Sequence, residues 1–326
     1  MPVSTIKLAS GHDMPLVGFG LWKVPAEQAA ETVYNAIVVG YRLFDGAYDY
    51  QNEKEAGQGI KRAISEGLVK REEIFVVTKL WNNYHRREYA LAQAKTQNEA
   101  WGLDYIDLYL IHFPIALKYV SPEDIRYPAW WQDAEHTKVE VENVPLHETW
   151  RALEEIVDTG IARSIGISNA QAQTLFDLQT YARHPVSSLQ IEHHPYLVQP
   201  TLISLAQKMN IAVTAYSSFG PQSFKELPAA FSARTNDIAL LWDVDVVQKA
   251  ASRTGKTPAQ VLLRWATQRG IAVIPKSNNK DRLQQNLEVT DFDLQSDEIE
   301  AISALDKGLR FNDPGFYLET PIPLFA

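Results

Sequence analysis

The chain has 326 residues, 45% of them hydrophobic and 22% charged, with a net charge of −9 and no cysteine. Disulfides and thiolate metal sites are excluded, and the acidic balance argues against a general nucleic-acid surface, so any phosphate must meet a local basic cluster. Residues 1–25 lack the basic start and apolar run of a signal peptide, and no uninterrupted apolar stretch of about 18 residues occurs, so a cytoplasmic protein without a membrane span is expected.

The first residues, "TIKLASG" and "DMPLVGFG", flank a Gly-His-Asp turn region and predict an N-terminal β-hairpin. Short apolar runs then alternate with amphipathic stretches. "LVGFGLW" (16–22) is followed by a helix over 26–39, and "YRLFDG" (41–46) by a helix over 52–66. "EIFVVTKL" (73–80) and "DLYLIHF" (107–113) bracket a helix over 86–101. "ARSIGISN" (162–169), "SLQIEHH" (188–194), "IAVTAYSSF" (211–219) and "IAVIPKS" (271–277) follow, with helices over 147–159, 170–182, 199–208 and 258–269. Most of the runs are almost continuously apolar, as strands covered on both faces should be. Eight such units predict one α/β domain over 1–326, a closed (β/α)₈ TIM barrel whose bottom the hairpin caps. The longest irregular stretches, 114–145 and 219–242, follow strands four and seven, where a barrel carries functional loops.

Polar residues recur at the strand ends. Asp45, Lys79 and His112 close strands two, three and four, separated by 34 and 33 residues, one unit each. They therefore reach the same level of the barrel, with Tyr50 in the loop after Asp45. A lone His or Lys at a strand end is more often structural; three on neighbouring strands beside a phenol point to chemistry. A phenol titrates near pH 10 and is a poor acid at neutral pH. An ammonium about 4 Å away favours phenolate by about 4 kcal/mol at moderate dielectric, roughly a thousand-fold. Asp45 would orient Lys79, Lys79 would tune Tyr50 as general acid, and a neutral His112 would donate to a carbonyl oxygen.

These residues, within "LFDGAYDYQNE", "VVTKLW" and "LIHFP", resemble the Asp-Tyr-Lys-His tetrad of the aldo-keto reductases, and the resemblance runs from about residue 5 to the C-terminus. It implies a (β/α)₈ barrel and NAD(P)H-dependent carbonyl reduction without metal. "GFGLW" lacks the third glycine of a dinucleotide fingerprint. The nucleotide candidate is "IPKSNNKDRLQQN" (274–286), where Lys276 closes strand eight, helix-capping residues follow, and Arg282 and Asn286 share a helical face. By resemblance, Lys276, Ser277, Asn278 and Arg282 hold the 2′-phosphate of NADPH, and Gln285 and Asn286 the adenine. Ser168, Asn169 and Gln190 match positions that bind the nicotinamide carboxamide. Tyr216 matches the aromatic that stacks on the ring, and Ser217, Phe219 and Gly220 lie along the pyrophosphate. Glu226 matches a residue that accepts the ribose of NADH.

Within the family the chain is most similar to fungal, especially yeast, xylose reductases, through "LQIEHHPYLVQ", "TAYSSFGPQSF" and the tail "LDKGLRFNDP". This implies reduction of an open-chain aldose, D-xylose to xylitol, with Asn312 bonding sugar hydroxyls. Trp22, Phe113 and Trp131 form an apolar wall beside His112. Asp49 is a further hydroxyl partner or a helix cap. Two features depart from the pattern: Tyr48 stands where Cys or Ala is expected, and "GFYLETPIPLFA" is an unfamiliar tail. Alternatives are a broader aldehyde, L-arabinose or galacturonate reductase, or a non-enzymatic binding subunit, which the intact tetrad disfavours. His193 and His194 are adjacent on a strand and point to opposite faces, so they do not share a metal. Trp130 and Trp131 fit either loop packing or a substrate lid. A homodimer is expected only because some xylose reductases are dimers.

Overall fold

A computed structural model describes residues 4–325. A hairpin of β1 (Thr5–Lys7) and β2 (Asp13–Pro15) comes first, paired antiparallel. The eight parallel strands are β3 (Phe19–Gly20), β4 (Leu43–Asp45), β5 (Phe75–Leu80), β6 (Ile106–Ile111), β7 (Ala162–Ser168), β8 (Ser188–Glu192), β9 (Ala212–Tyr216) and β10 (Ala272–Val273), in sequential spatial order. A parallel bridge between Val17 and Val273 joins the first to the last. At this seam the backbones come close: Gly18 N–H donates to Val273 O at 2.8 Å, and Gly20 N–H to Pro275 O at 3.2 Å. A Cβ on Gly20 would meet the Ile274 carbonyl oxygen at 2.6 Å, so the glycines of "GFG" serve barrel closure. The paired seam strands are shorter than the apolar runs 16–22 and 271–277, because Pro275 has no N–H to extend the ladder.

The helices α1 (Ala26–Val39), α2 (Glu53–Ser65), α3 (Arg87–Trp101), α4 (Leu146–Asp158), α5 (Ala172–Tyr181) and α6 (Pro200–Lys208) surround the sheet, each within two residues of its sequence expectation at either end. Beyond β9 come α7 (Ala229–Ser232), α8 (Asp245–Thr254), α9 (Pro258–Thr267), α10 (Lys280–Leu287), α11 (Ser296–Ser303) and α12 (Pro314–Tyr317). α9 starts where its sequence dictates: Thr257 Oγ1 accepts from Gln260 N–H at 3.2 Å and Pro258 takes the first helical position. Among the described residues no helix is long and apolar enough to cross a membrane.

Strand alternation explains what reaches the interior. Leu43, Phe75, Val77, Leu108 and Leu110 pack in the barrel floor together with Leu8 and Met14 of the hairpin segment. Continuing each strand by two residues toward its C-terminal end replaces apolar side chains with Asp45, Lys79 and His112. The same period places Ser168, Gln190 and Tyr216 on β7, β8 and β9. The floor is apolar on β4 to β6 and carries small hydroxyl residues, Ser164, Ser188 and Thr214, on β7 to β9; the layer above it holds the ionisable side chains.

Candidate active site

Lys79 is fully enclosed, at 0% exposure. Its ammonium donates to Asp45 Oδ1 at 2.6 Å, to Gly46 O at 2.8 Å and to Tyr50 Oη at 3.3 Å. Three N–H groups thus find three acceptors. The other Asp45 oxygen accepts from Gln190 Nε2 at 2.7 Å. Burial lowers the Lys79 pKa, and Asp45 opposes that shift.

Tyr50 ends a short 3₁₀ turn over Tyr48–Tyr50 and faces the cavity. Burial pushes its pKa well above the ordinary tyrosine value, and Asp45, Asp49 and Tyr216 push the same way. This reverses the sequence expectation that Lys79 draws the phenol down. Lys79 is shared between Asp45 and Tyr50, and its tyrosine contact is the longest of the three. The phenol therefore keeps its proton at neutral pH. Burial, and then the Lys79 charge, hold the His112 imidazole well below its usual pKa, so it is neutral as expected. Its ring stacks on Phe113 at 5.3 Å and meets Trp81 edge-on at 4.9 Å.

A cavity of 760 Å³ opens over this group. Trp22, Phe113 and Trp131 line it, as does Trp130, which is itself buried against Trp81 and Phe113. Asp49 lies half-buried in the wall, where burial pushes its carboxyl up to about 7. It does not cap α2, whose N-cap position is Asn52. A row of hydrogen bonds crosses the cavity: Tyr317 Oη donates to Asn312 Oδ1 (3.2 Å), Asn312 Nδ2 to Tyr216 Oη (3.1 Å), Tyr216 Oη to Asn169 Oδ1 (2.6 Å), and Asn169 Nδ2 to His112 O (3.0 Å). Ser168 Oγ donates to Gln190 O at 2.9 Å.

The cavity continues to a basic mouth. Asn279 caps α10 by accepting from Arg282 N–H at 2.9 Å, and Arg282 Nε donates to Ser277 Oγ at 3.3 Å. Lys276, Ser277, Asn278, Arg282 and Asn286 all line this end. Ser217, Phe219 and the exposed Glu226 line it from the loop after β9. Burial lowers the Lys276 pKa while the Glu226 charge raises it, so the carboxylate and the ammonium face the same mouth. Lys23 Nζ donates to Ser223 O at 2.6 Å and ties the loop after β3 to this loop.

The model of the aldo/keto reductase family matches residues 16–307. The chain belongs to the aldo/keto reductase family. Among its relatives, a probable NAD(P)H-dependent D-xylose reductase of Aspergillus flavus is 59% identical over 323 residues, covering 99% of this chain and all of that protein. The NAD(P)H-dependent D-xylose reductase of Aspergillus niger is 57% identical over the same length, with 99% of this chain and 100% of the relative covered. The crystal structure of a Bombyx mori aldo-keto reductase in complex with NADP aligns with a TM-score of 0.84 at 34% identity, covering 98% of each chain.

Against this aldo/keto reductase background, three candidate residues stay out of the cavity wall: Lys79, which is fully enclosed, and two of the coenzyme candidates. Gly220 turns toward Leu241, and Gln285 lies about 100° around α10 from Asn286. The Tyr48 departure is absorbed by packing: its hydroxyl bonds Arg126 O and Tyr84 Oη, and its ring meets Tyr127 at 4.9 Å, tying the 114–145 loop down. His194 Nε2 is paired with Glu192 at 2.8 Å, and His193 stacks on Trp265 at 4.7 Å. Sequence reasoning missed Trp81, although it sits two residues beyond Lys79, where strand alternation would place it. It also missed Glu192, two beyond Gln190 on β8, whose carboxylate accepts from Phe311 and Asn312 N–H, both at 2.9 Å, and so anchors the tail. Tyr317, in a tail without periodicity, had no comparable signal.

Proposed function

We propose that this protein is an NAD(P)H-dependent aldose reductase that converts D-xylose, in its open-chain form, to xylitol. The observation that carries the reading is the Lys79 ammonium, held by Asp45 and donating to Tyr50 beside a neutral His112 at the base of the cavity. The named activity of fungal relatives 57–59% identical over nearly the whole chain supports the sugar and both coenzymes.

The donor set at the mouth suits a dinucleotide: a capped helix N-terminus with Lys276 and Arg282 for a phosphate, and Glu226 for ribose hydroxyls. Asn286 would meet the adenine, Ser217 and Phe219 the pyrophosphate, and Ser168, Asn169 and Gln190 the carboxamide, with Tyr216 against the ring. Gln190 already donates one amide hydrogen to Asp45, so it would join the coenzyme to the catalytic pair. NADPH or NADH, when bound, supplies the hydride.

The protein's own part is proton delivery and positioning. Tyr50 holds its proton at neutral pH and gives it from Oη to the carbonyl oxygen, which becomes the new hydroxyl. Lys79 donates to the phenolate left behind, so its interaction is stronger after transfer than before, as catalysis requires. Asp45 keeps Lys79 charged and aimed. His112, neutral, donates to the carbonyl oxygen and sets its direction. Trp22, Phe113 and Trp131 exclude water, and Asn312 and Asp49 meet sugar hydroxyls. A homodimer is the assembly carried over from the xylose reductases, and sedimentation measures it; the cytoplasm is the compartment that the sequence suggests, and cell fractionation measures that.

The test is coenzyme oxidation with D-xylose, L-arabinose, D-galacturonate and benzaldehyde. The largest kcat/KM among the sugars is expected with D-xylose. A clear preference for galacturonate would move the assignment, and no oxidation with any aldehyde would remove the enzyme reading.

A further inference from the structure

We propose that Tyr317 is a specificity-determining residue, whose hydroxyl oxygen accepts a hydrogen bond from a hydroxyl of the open-chain sugar. The inference rests on the aldose-reductase reading above and deepens it. Its ground is the direction of the hydrogen-bond row, which begins at a group that can only accept. Asn169 Nδ2 donates to the His112 backbone carbonyl at 3.0 Å, which settles the orientation of that amide. Asn169 Oδ1 therefore accepts, and Tyr216 Oη must donate to it at 2.6 Å. With its single proton committed, Tyr216 can only accept from Asn312 Nδ2 at 3.1 Å. Asn312 Oδ1 then faces Tyr317, whose Oη must donate at 3.2 Å.

The row ends at Tyr317 with its proton spent. Among the described residues none donates a hydrogen bond to its oxygen, so the acceptor side of the hydroxyl is left for the cavity. Tyr317 lines the cavity, half-buried, with its ring 4.6 Å from Phe231 and 6.3 Å from Trp130. At this point the wall is an acceptor only. It suits the O–H of a polyol and offers nothing to a carbonyl or an ether oxygen. Asn312 keeps one amide hydrogen free beside it. The pair thus presents an acceptor and a donor side by side, and each sugar hydroxyl is both. An apolar aldehyde gains nothing from either group.

Tyr317→Phe keeps the ring between Phe231 and Trp130 and removes only the hydroxyl. Its kcat/KM for D-xylose is expected to fall about 3- to 10-fold, mainly through KM, as for loss of one neutral hydrogen bond. Benzaldehyde turnover should change less than about two-fold, since it offers no hydroxyl. Pentoses lacking one hydroxyl each supply the second measurement. The variant and the unmodified protein should differ on all of them except the one whose missing hydroxyl meets Tyr317. Equal losses with xylose and benzaldehyde, or none with either, overturn the proposal. So does a loss that persists on every deoxypentose, which would make Tyr317 a positioning residue for Asn312. The unmodified protein's own rate with xylose tests the enzyme reading separately; if another aldose is preferred, the same comparison is made with that sugar and its deoxy forms.

Discussion

The two ends of the cavity are built in opposite ways. At the catalytic end, Asp45 and Lys79 stand on adjacent strands, almost wholly removed from solvent, and every Lys79 proton has a partner. At the basic mouth, proposed to take the coenzyme, Arg282 and Glu226 are exposed, on a helix start and a loop. Charges at the first end act at low dielectric and cannot be removed singly without leaving a partner stranded. Charges at the second end are screened by salt and act nearly independently. Chemistry and coenzyme choice should therefore respond to mutation on different scales.

The largest effect is expected from Tyr50→Phe. Loss of the proton donor should lower the single-turnover rate by about 10²–10⁴-fold. Coenzyme affinity, measured by protein fluorescence, should stay nearly intact. Retention of most of the rate would remove Tyr50 from its role. Lys79→Met should come close in rate and, by stranding Asp45, also cost about 3–5 kcal/mol of stability in urea unfolding. Asp45→Asn should be milder, and the double variant should lose less than the two single losses combined, because the pair acts as one unit. Additive losses would mean the two residues work separately.

Effects at the mouth should be smaller and dependent on salt. Arg282→Ala should weaken NADPH about 10-fold, the low end for a charge-assisted bond because the side chain is exposed, and NADH hardly at all. Rising ionic strength should shrink that difference while leaving the Tyr50→Phe defect unchanged; equal weakening of both coenzymes would misplace the phosphate. Glu226→Ala should weaken NADH by about 1.5- to 5-fold. Unchanged NADH affinity would end the argument for dual coenzyme use without touching the NADPH assignment.

Asp49 stands between these extremes, half-buried and with its carboxyl raised to about 7. Below that pH it is a neutral acid; above it, a carboxylate that accepts more strongly from a hydroxyl. The KM for xylose should therefore fall by a factor of about two to five as pH rises through the transition, the size of a modest hydrogen-bond gain. Asp49→Asn should flatten that step. A step that survives the substitution belongs to another group.

The sequence alone determined the eight-unit barrel and the common level of Asp45, Lys79 and His112. Both follow from short-range rules: side chains alternate along a strand, and units of nearly equal length bring strand ends to one height. The capped start of α10 was legible for the same reason, since Asn279 and Arg282 lie three residues apart. Only the tertiary structure decided the barrel seam at Gly20 and Ile274, the anchoring of the tail by Glu192, and the place of Tyr317 at the end of the hydrogen-bond row. It also decided that burial, rather than Lys79, dominates the Tyr50 proton. Each of these depends on groups brought together from distant parts of the sequence, or on how much water the fold removes, and neither leaves a periodic signal to read.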